Sequence, residues 1–209
     1  MSTLVLQVAP PRSRVLASVA FSVGCAVGGS LLIAGLAQVS IPLPFTPVPI
    51  TGQTLGVLLV GAAFGPALGA ATLGLYLIEG AIGLPFFAEG ASGSSVLGFA
   101  SASGGYLWGF VLASALVGAL ARGGWDRSVR TAIGAMLLGE IVLYAVGLPW
   151  LHRALPALTG GPVRLEDTLA AGLYPFVIGD LLKLLVAALA LPGAWWVMRR
   201  FRPEPGDRR

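Results

Sequence analysis

Two long stretches without charge dominate the pattern of this chain. No residue from Val15 to Ile78 is ionisable as an acid or base of the Asp, Glu, Lys, Arg type, and none is from Gly90 to Ala121. An α-helix crosses the hydrocarbon of a bilayer in ~20 apolar residues, so runs of this length predict several crossings rather than one. The first helix is expected from about Val15 to Ala37, which at ~1.5 Å per residue reaches ~35 Å. It exceeds the ~7 to 15 residues of a signal-peptide core and lacks an A-x-A-like end, so it reads as a retained helix. The run Pro42-Leu43-Pro44-Phe45-Thr46-Pro47-Val48-Pro49 then forbids helix continuation and predicts a stiff external loop. A short second helix is expected at about Thr54 to Phe64, a turn at Gly65-Pro66, and a third helix at about Ala67 to Ile82.

A glycine- and serine-rich segment from Gly83 to Gly104 follows, with Pro85, Phe86, Phe87 and Glu89 at its start and Gly104-Gly105-Tyr106 at its end. Loops this long inside a compact domain are usually lids or binding loops. The fourth helix is expected from about Tyr106 to Ala121 and the fifth from about Thr131 to Trp150. A third loop carries His152, Arg153, Gly160-Gly161-Pro162 and Arg164, and the sixth helix starts at Leu169 or Pro175 and runs to Met198. The fold class expected is an all-α integral membrane protein with six transmembrane helices, both termini cytoplasmic, and long external loops capping an outward-facing pocket. Residues 1–14 form a cytoplasmic tail, 15–198 the membrane domain and 199–209 a basic cytoplasmic tail.

Composition strengthens the membrane assignment: 56% of residues are hydrophobic, 11% are charged and the mean hydropathy is +0.87, against about 25% charged in soluble domains. The net charge of +4 is not a nucleic-acid signature, because the arginines are placed by topology. Arg12, Arg14, Arg122, Arg127, Arg130, Arg199, Arg200, Arg202, Arg208 and Arg209 fall on the side taken as inside, and only Arg153 and Arg164 on the other. The single cysteine, Cys25, cannot form an internal disulfide and is expected to pack as a small hydrophobe. Lys183 is the only lysine and is followed by leucine, which excludes a P-loop. With no serine on the same helix, it is not the base of an intramembrane serine hydrolase either. No internal repeat of the kind common in secondary transporters is evident.

Candidate chemistry concentrates in the last helix. Asp180 and Lys183 stand at i and i+3 in an otherwise apolar run, where they share a face and can neutralise each other. Ionisable groups at membrane depth cost at least ~2.5 to 3.5 kcal/mol each on insertion scales, so such a pair marks a binding or transport site, or an ion pair joining helices. Measured back from Arg199, Asp180 lies ~28 Å and Lys183 ~24 Å along the axis, in the outer third under the external loops. Glu79 and Glu140 are the other carboxylates inside apolar runs; Glu140 and Tyr144, at i and i+4, suggest an interhelical hydrogen bond or a ligand contact. Ala20, Gly24 and Gly28 form a small-residue ridge on the first helix, for internal packing or for a partner. Among the aromatics, Phe86, Phe87 and Tyr106 beside the glycine-rich loop are candidate ligand contacts, while Trp108, Trp150 and Tyr174 fit an interfacial belt. His152, the sole histidine, is expected solvated in a loop and makes no usual zinc site.

The run Pro44-Phe45-Thr46-Pro47-Val48-Pro49-Ile50-Thr51 with Gln53-Thr54 carries a family resemblance. So do Leu75-Tyr76-Leu77 with Glu79-Gly80-Ala81-Ile82-Gly83-Leu84-Pro85, Gly104-Gly105-Tyr106 with Gly109-Phe110, and Asp180-Leu181-Leu182-Lys183. In unbroken order from residue 15 to 198, these resemble BioY, the biotin-binding substrate components of energy-coupling-factor transporters. The resemblance implies a six-helix vitamin-binding membrane protein that works with a transmembrane scaffold subunit and two ATPase subunits in the plasma (inner) membrane, and that is not an enzyme. It implies Asp180 and Lys183 as ligand residues and Ala20, Gly24 and Gly28 as the scaffold contact; Phe86, Phe87, Glu89, Gly105, Tyr106 and Gln53 are expected to complete the substrate-binding set. Neither cofactor nor metal is implied, biotin being cargo. Ser101-Ala102-Ser103 departs from the family's Gly-Pro-Thr before Gly-Gly-Tyr.

Biotin brings two ureido N–H donors, a carbonyl, a carboxylate tail and apolar fused rings. Asp180 accepting from the ureido with Lys183 donating to a ligand oxygen, or the reverse assignment, both fit these groups. Readings of another class are a proton-coupled solo carrier of a small acid or vitamin, in which Asp180, Glu140 and Glu79 relay protons, and a purely structural membrane subunit.

Overall fold

The computed structural model describes residues 3–5 and 15–201; the tail residues 6–14 and 202–209, with Arg12, Arg14, Arg202, Arg208 and Arg209, lie outside the described residues. The architecture is helical, as expected from the apolar runs. Helix α1 (Val15–Gln38) leads into a two-residue antiparallel pair, β1 (Ser40–Ile41) and β2 (Ile50–Thr51), which closes the proline-rich segment into a loop with Ser40 opposite Thr51. Prolines lack an N–H and cannot extend a ladder, so the pairing stops where they begin. Helix α2 (Gln53–Phe64) and helix α3 (Pro66–Ala81) meet at Gly65, whose φ of 83° is open to glycine, and Pro66 opens the next helix.

Two 3-10 turns, Ala88–Gly90 and Ser94–Leu97, interrupt the glycine-serine segment before α4 (Gly104–Arg122). Helix α5 (Val129–Thr159) runs nine residues past the expected end at Trp150, so His152 and Arg153 are helical and not in a loop. Pro149 and Pro156 lie inside it. Each proline removes one backbone bond, but Leu151, Ala154 and Leu155 continue the buried stripe at helical spacing and hold the chain in helix. The expected sixth helix is two helices: α6 (Leu165–Gly172) and α7 (Val177–Phe201), with Pro175 in the turn between them. Arg164 N–H donates to Asp167 Oδ2 at 2.9 Å at the start of α6. That bond holds the Asp167 carboxyl below the usual carboxylate range.

Four of these helices are long and apolar enough to cross a membrane: Leu16–Gln38, Gly104–Arg122, Val129–Thr159 and Val177–Met198. The chain is a multi-pass membrane protein. Large apolar side chains such as Leu16, Ile82 and Ile178 point outward, the arrangement lipid favours. The interior falls into two clusters. One, around Tyr76, Phe87, Tyr106, Phe110 and Phe176, lies beneath the loops. The other, around Leu58, Val117, Met136, Leu191 and Trp195, fills the opposite end and takes in Leu4 of the N-terminal residues. There Asp126, in the α4–α5 turn, is fully buried and accepts from Trp195 Nε1 at 2.5 Å.

Candidate functional site

Asp180 is the hub of the only charged cluster found in the interior of the described residues. Its Oδ1 accepts from Lys183 Nζ at 2.9 Å and from Thr54 Oγ1 at 3.1 Å, and its Oδ2 accepts from the Tyr144 hydroxyl. Lys183 Nζ also donates to Thr54 Oγ1 at 3.0 Å. The pair arises locally, because i and i+3 on α7 share a face. Its completion does not: Thr54 comes from the first turn of α2 and Tyr144 from the middle of α5. Both charged side chains are largely buried, at 8% and 18% exposure. An ion pair taken out of water needs further hydrogen bonds to offset desolvation, and Thr54 and Tyr144 supply them. Two of the three ammonium protons of Lys183 are engaged, and the third has no acceptor among the described residues.

This cluster forms one wall of a cavity of about 240 Å³. Gln53 and Thr54 of α2, Tyr106 and Phe110 of α4, and Tyr144 of α5 continue the wall. The roof comes from two loops: Pro47, Val48 and Pro49 of the proline-rich segment, and Phe87, Ala88, Glu89, Ser101 and Ser103 of the glycine-serine segment. The departure from family pattern at Ser101 and Ser103 therefore falls on the cavity surface.

The roof is tied down at several points. Thr51 Oγ1 donates to Gln53 Oε1, Gln53 Nε2 donates to Tyr76 OH at 2.7 Å, and Tyr76 OH donates to the Phe86 carbonyl at 3.0 Å. Gln38 Nε2 donates to the Phe87 carbonyl at 3.2 Å. Thr46 Oγ1 reaches the Ala171 carbonyl at 2.5 Å, and Tyr106 OH the Gly172 carbonyl at 2.8 Å, so the end of α6 is held against the same roof. The Tyr106 ring fits because a Cβ at Gly147 or Gly172 would overlap it. Tyr106 and Tyr144 meet edge-on at 6.1 Å, and Phe87 meets Tyr76 edge-on at 5.6 Å.

Of the residues singled out from sequence, Asp180, Lys183, Gln53, Tyr106, Phe87 and Glu89 line the cavity. Glu89 is exposed and adopts a left-handed φ of 59°, unusual for a residue other than glycine. Phe86 and Gly105 do not line it. The Phe86 side chain packs on the core while its carbonyl takes the Tyr76 bond, and Gly105 is the point where α4 abuts Trp150 of α5. Glu140 and Glu79 are not among the residues lining the cavity; among the described residues both Glu140 carboxylate oxygens and Glu79 Oε2 are buried without a hydrogen-bond partner, and Tyr144 turns to Asp180 instead. His152, exposed on α5, bonds Thr168 of α6 through Nδ1 at 2.7 Å. Ala20, Gly24 and Gly28 face away from the protein, with nothing within 4 Å of a Cβ at either glycine, so the ridge does not serve internal packing. Sequence reasoning missed Thr54 and Tyr144 as partners of Asp180, and Tyr76 as the post of the roof. The signal available was a tyrosine in an apolar helix, whose hydroxyl must find a partner.

Comparison with known proteins agrees with this arrangement. The BioY family matches residues 12–200. The biotin transporter BioY of Rhizobium etli is 36% identical over 157 residues, covering 71% of this chain and 79% of that protein. The biotin transporter BioY of Thermotoga maritima is 36% identical over 160 residues, covering 77% and 86%. A solved structure, the S-component for biotin from an ECF-type ABC transporter, superposes with a TM-score of 0.70 at 27% identity, covering 88% of this chain and 92% of that one. With the match running almost end to end through the helices that build the cavity, this chain belongs to the BioY family.

Proposed function

We propose that this protein binds biotin in the cavity beneath its two tethered loops and mediates biotin uptake as the substrate-binding component of an energy-coupling-factor transporter. It is a transporter component and not an enzyme. The observation that carries the reading is the buried Asp180–Lys183 pair at the wall of an apolar, aromatic cavity, in a chain whose relatives are biotin transporters. Asp180 spends acceptor positions on Tyr144, Thr54 and Lys183, which keeps the lysine charged and aimed. The third proton of Lys183 is then available to a ligand oxygen. Phe87, Tyr106 and Phe110 offer apolar faces to the fused rings, Gln53 has one amide hydrogen unused, and the Glu89 carboxylate at the mouth is an acceptor for ureido N–H groups.

The same reading gives six crossings with both termini cytoplasmic, α2 and α3 crossing as shorter helices joined at Gly65, in the plasma membrane. The outward ridge of Ala20, Gly24 and Gly28 then meets a transmembrane scaffold subunit, to which ATPase subunits supply energy.

The test is calorimetry of biotin on the detergent-purified protein. Truncating one partner of a buried hydrogen-bonded charge pair costs about 2 to 5 kcal/mol, so Lys183→Met and Asp180→Asn should each weaken binding at least ~30-fold. Unchanged affinity in a folded variant overturns the pair's role.

A further inference from the structure

Glu140 is a buried carboxylate beside the cavity that this binding scheme leaves unused. It is 7% exposed, and neither of its carboxylate oxygens has a hydrogen-bond partner. It stands one turn before Tyr144 on α5, the residue whose hydroxyl donates to Asp180. On its outer side lies a groove walled by Leu137, Ile141, Ala145 and Leu148. Tyr144 lines both that groove and the cavity, so one aromatic side chain stands between Glu140 and the ligand space.

The ionisable groups around it are few. Tyr144 is on its own helix, Asp180 and Lys183 of α7 lie beyond the Tyr144 hydroxyl, Tyr106 of α4 meets the Tyr144 ring edge-on, and α2 carries no ionisable side chain. Among the described residues Lys183 is the sole cation of the cavity wall, and Asp180 already takes it. A ligand carboxylate entering the cavity has Lys183 as its counter-charge at depth, whereas at the mouth it meets the like charge of Glu89. Docked on Lys183, it adds a negative charge to an apolar interior that already holds two acids against one base. Like charges in low dielectric are relieved most readily by taking up a proton.

We infer that Glu140 is a proton-binding site coupled to the ligand: it takes one proton from solvent as the acidic end of the ligand docks on Lys183. Tyr144 transmits the coupling, since it lines the same groove as Glu140 one turn away on α5 while donating to Asp180. The inference rests on the reading of the cavity as a biotin site.

Calorimetry of biotin in two buffers of different ionisation enthalpy, over roughly pH 6 to 9, reads the coupling directly. The wild-type protein should take up close to one proton per biotin in part of that range, with Kd rising towards about tenfold per pH unit at its alkaline end. Glu140→Gln should bind biotin with no proton uptake and with affinity flat across the range. Biotinamide, whose tail is uncharged, should bind the wild-type protein without uptake, and that arm needs no variant to fold. Biotin binding without uptake in the wild type, equal uptake in Glu140→Gln, or equal uptake with biotinamide each overturns the coupling and leaves the biotin site standing. Failure to bind biotin at all removes both.

Discussion

Tyr144 shows how much one side chain contributes to the site. A hydrogen bond to a charged group is worth about 1.5 to 3 kcal/mol, and Tyr144→Phe removes one from Asp180 while keeping the ring against Tyr106. Biotin affinity should fall ~10- to 100-fold with the fold intact, as read by calorimetry and a thermal melt. Asp126 belongs to the same scale at the other end of the molecule. Burial pushes its carboxyl above the ordinary range, opposed by the Trp195 N–H, its own backbone and the neighbouring Arg127. A raised folded-state value means that, just above the ordinary carboxylate range, the folded protein keeps a proton that the unfolded chain has lost. Stability therefore falls as pH rises through that window and levels above it. Thermal melts in detergent should show this fall in the wild type and a flatter profile in Asp126→Asn; an identical slope in the two removes Asp126 as the cause.

Among the elements, α1 has two faces with opposite duties. Gly29 allows close approach to α3, where a Cβ would stand 2.7 Å from Thr72 Cγ2, while Gly24 and Gly28, on the helix's outward face, meet open space. Leucine at position 24 or 28 should leave biotin affinity unchanged, since neither glycine touches the cavity, and should abolish co-purification with a scaffold subunit and biotin uptake in cells. Retained uptake in the doubly substituted protein places the partner surface elsewhere. Helix α5 carries its own lesson: its extension past Pro149 puts Trp150 in reach of the glycine-serine loop, where its Nε1 donates to the Gly98 carbonyl at 3.2 Å and its ring stacks on Phe99.

For the whole molecule the question is orientation. Arg122, Arg127 and Arg130 stand at the α4–α5 turn, whereas Arg153 and Arg164 stand at the end that carries the roof. The positive-inside rule predicts a cytoplasmic place for the first group. In a Cys25→Ala background, Arg164→Cys should react with a membrane-impermeant maleimide on intact cells, and Arg127→Cys only after permeabilisation. The opposite pattern inverts the protein and closes the cavity to external ligand.

Membrane class, the main helices and the Asp180–Lys183 pair were legible in the residues because each is local: transfer into lipid is decided residue by residue over one run, and i to i+3 adjacency follows from helical pitch. The end of α5 was misjudged for the complementary reason, since the prolines speak locally against helix while the burial of Leu151 and Leu155 that sustains it depends on neighbours. Only the tertiary structure decided that Thr54, 126 residues from Asp180, and Tyr144, 36 residues away, complete its hydrogen bonds. It also turned Phe87 into the cavity and left Phe86 on the core, and it set Gly105 against Trp150. Such pairings depend on which helices pack together and how closely, a property of the closed chain that no single segment carries.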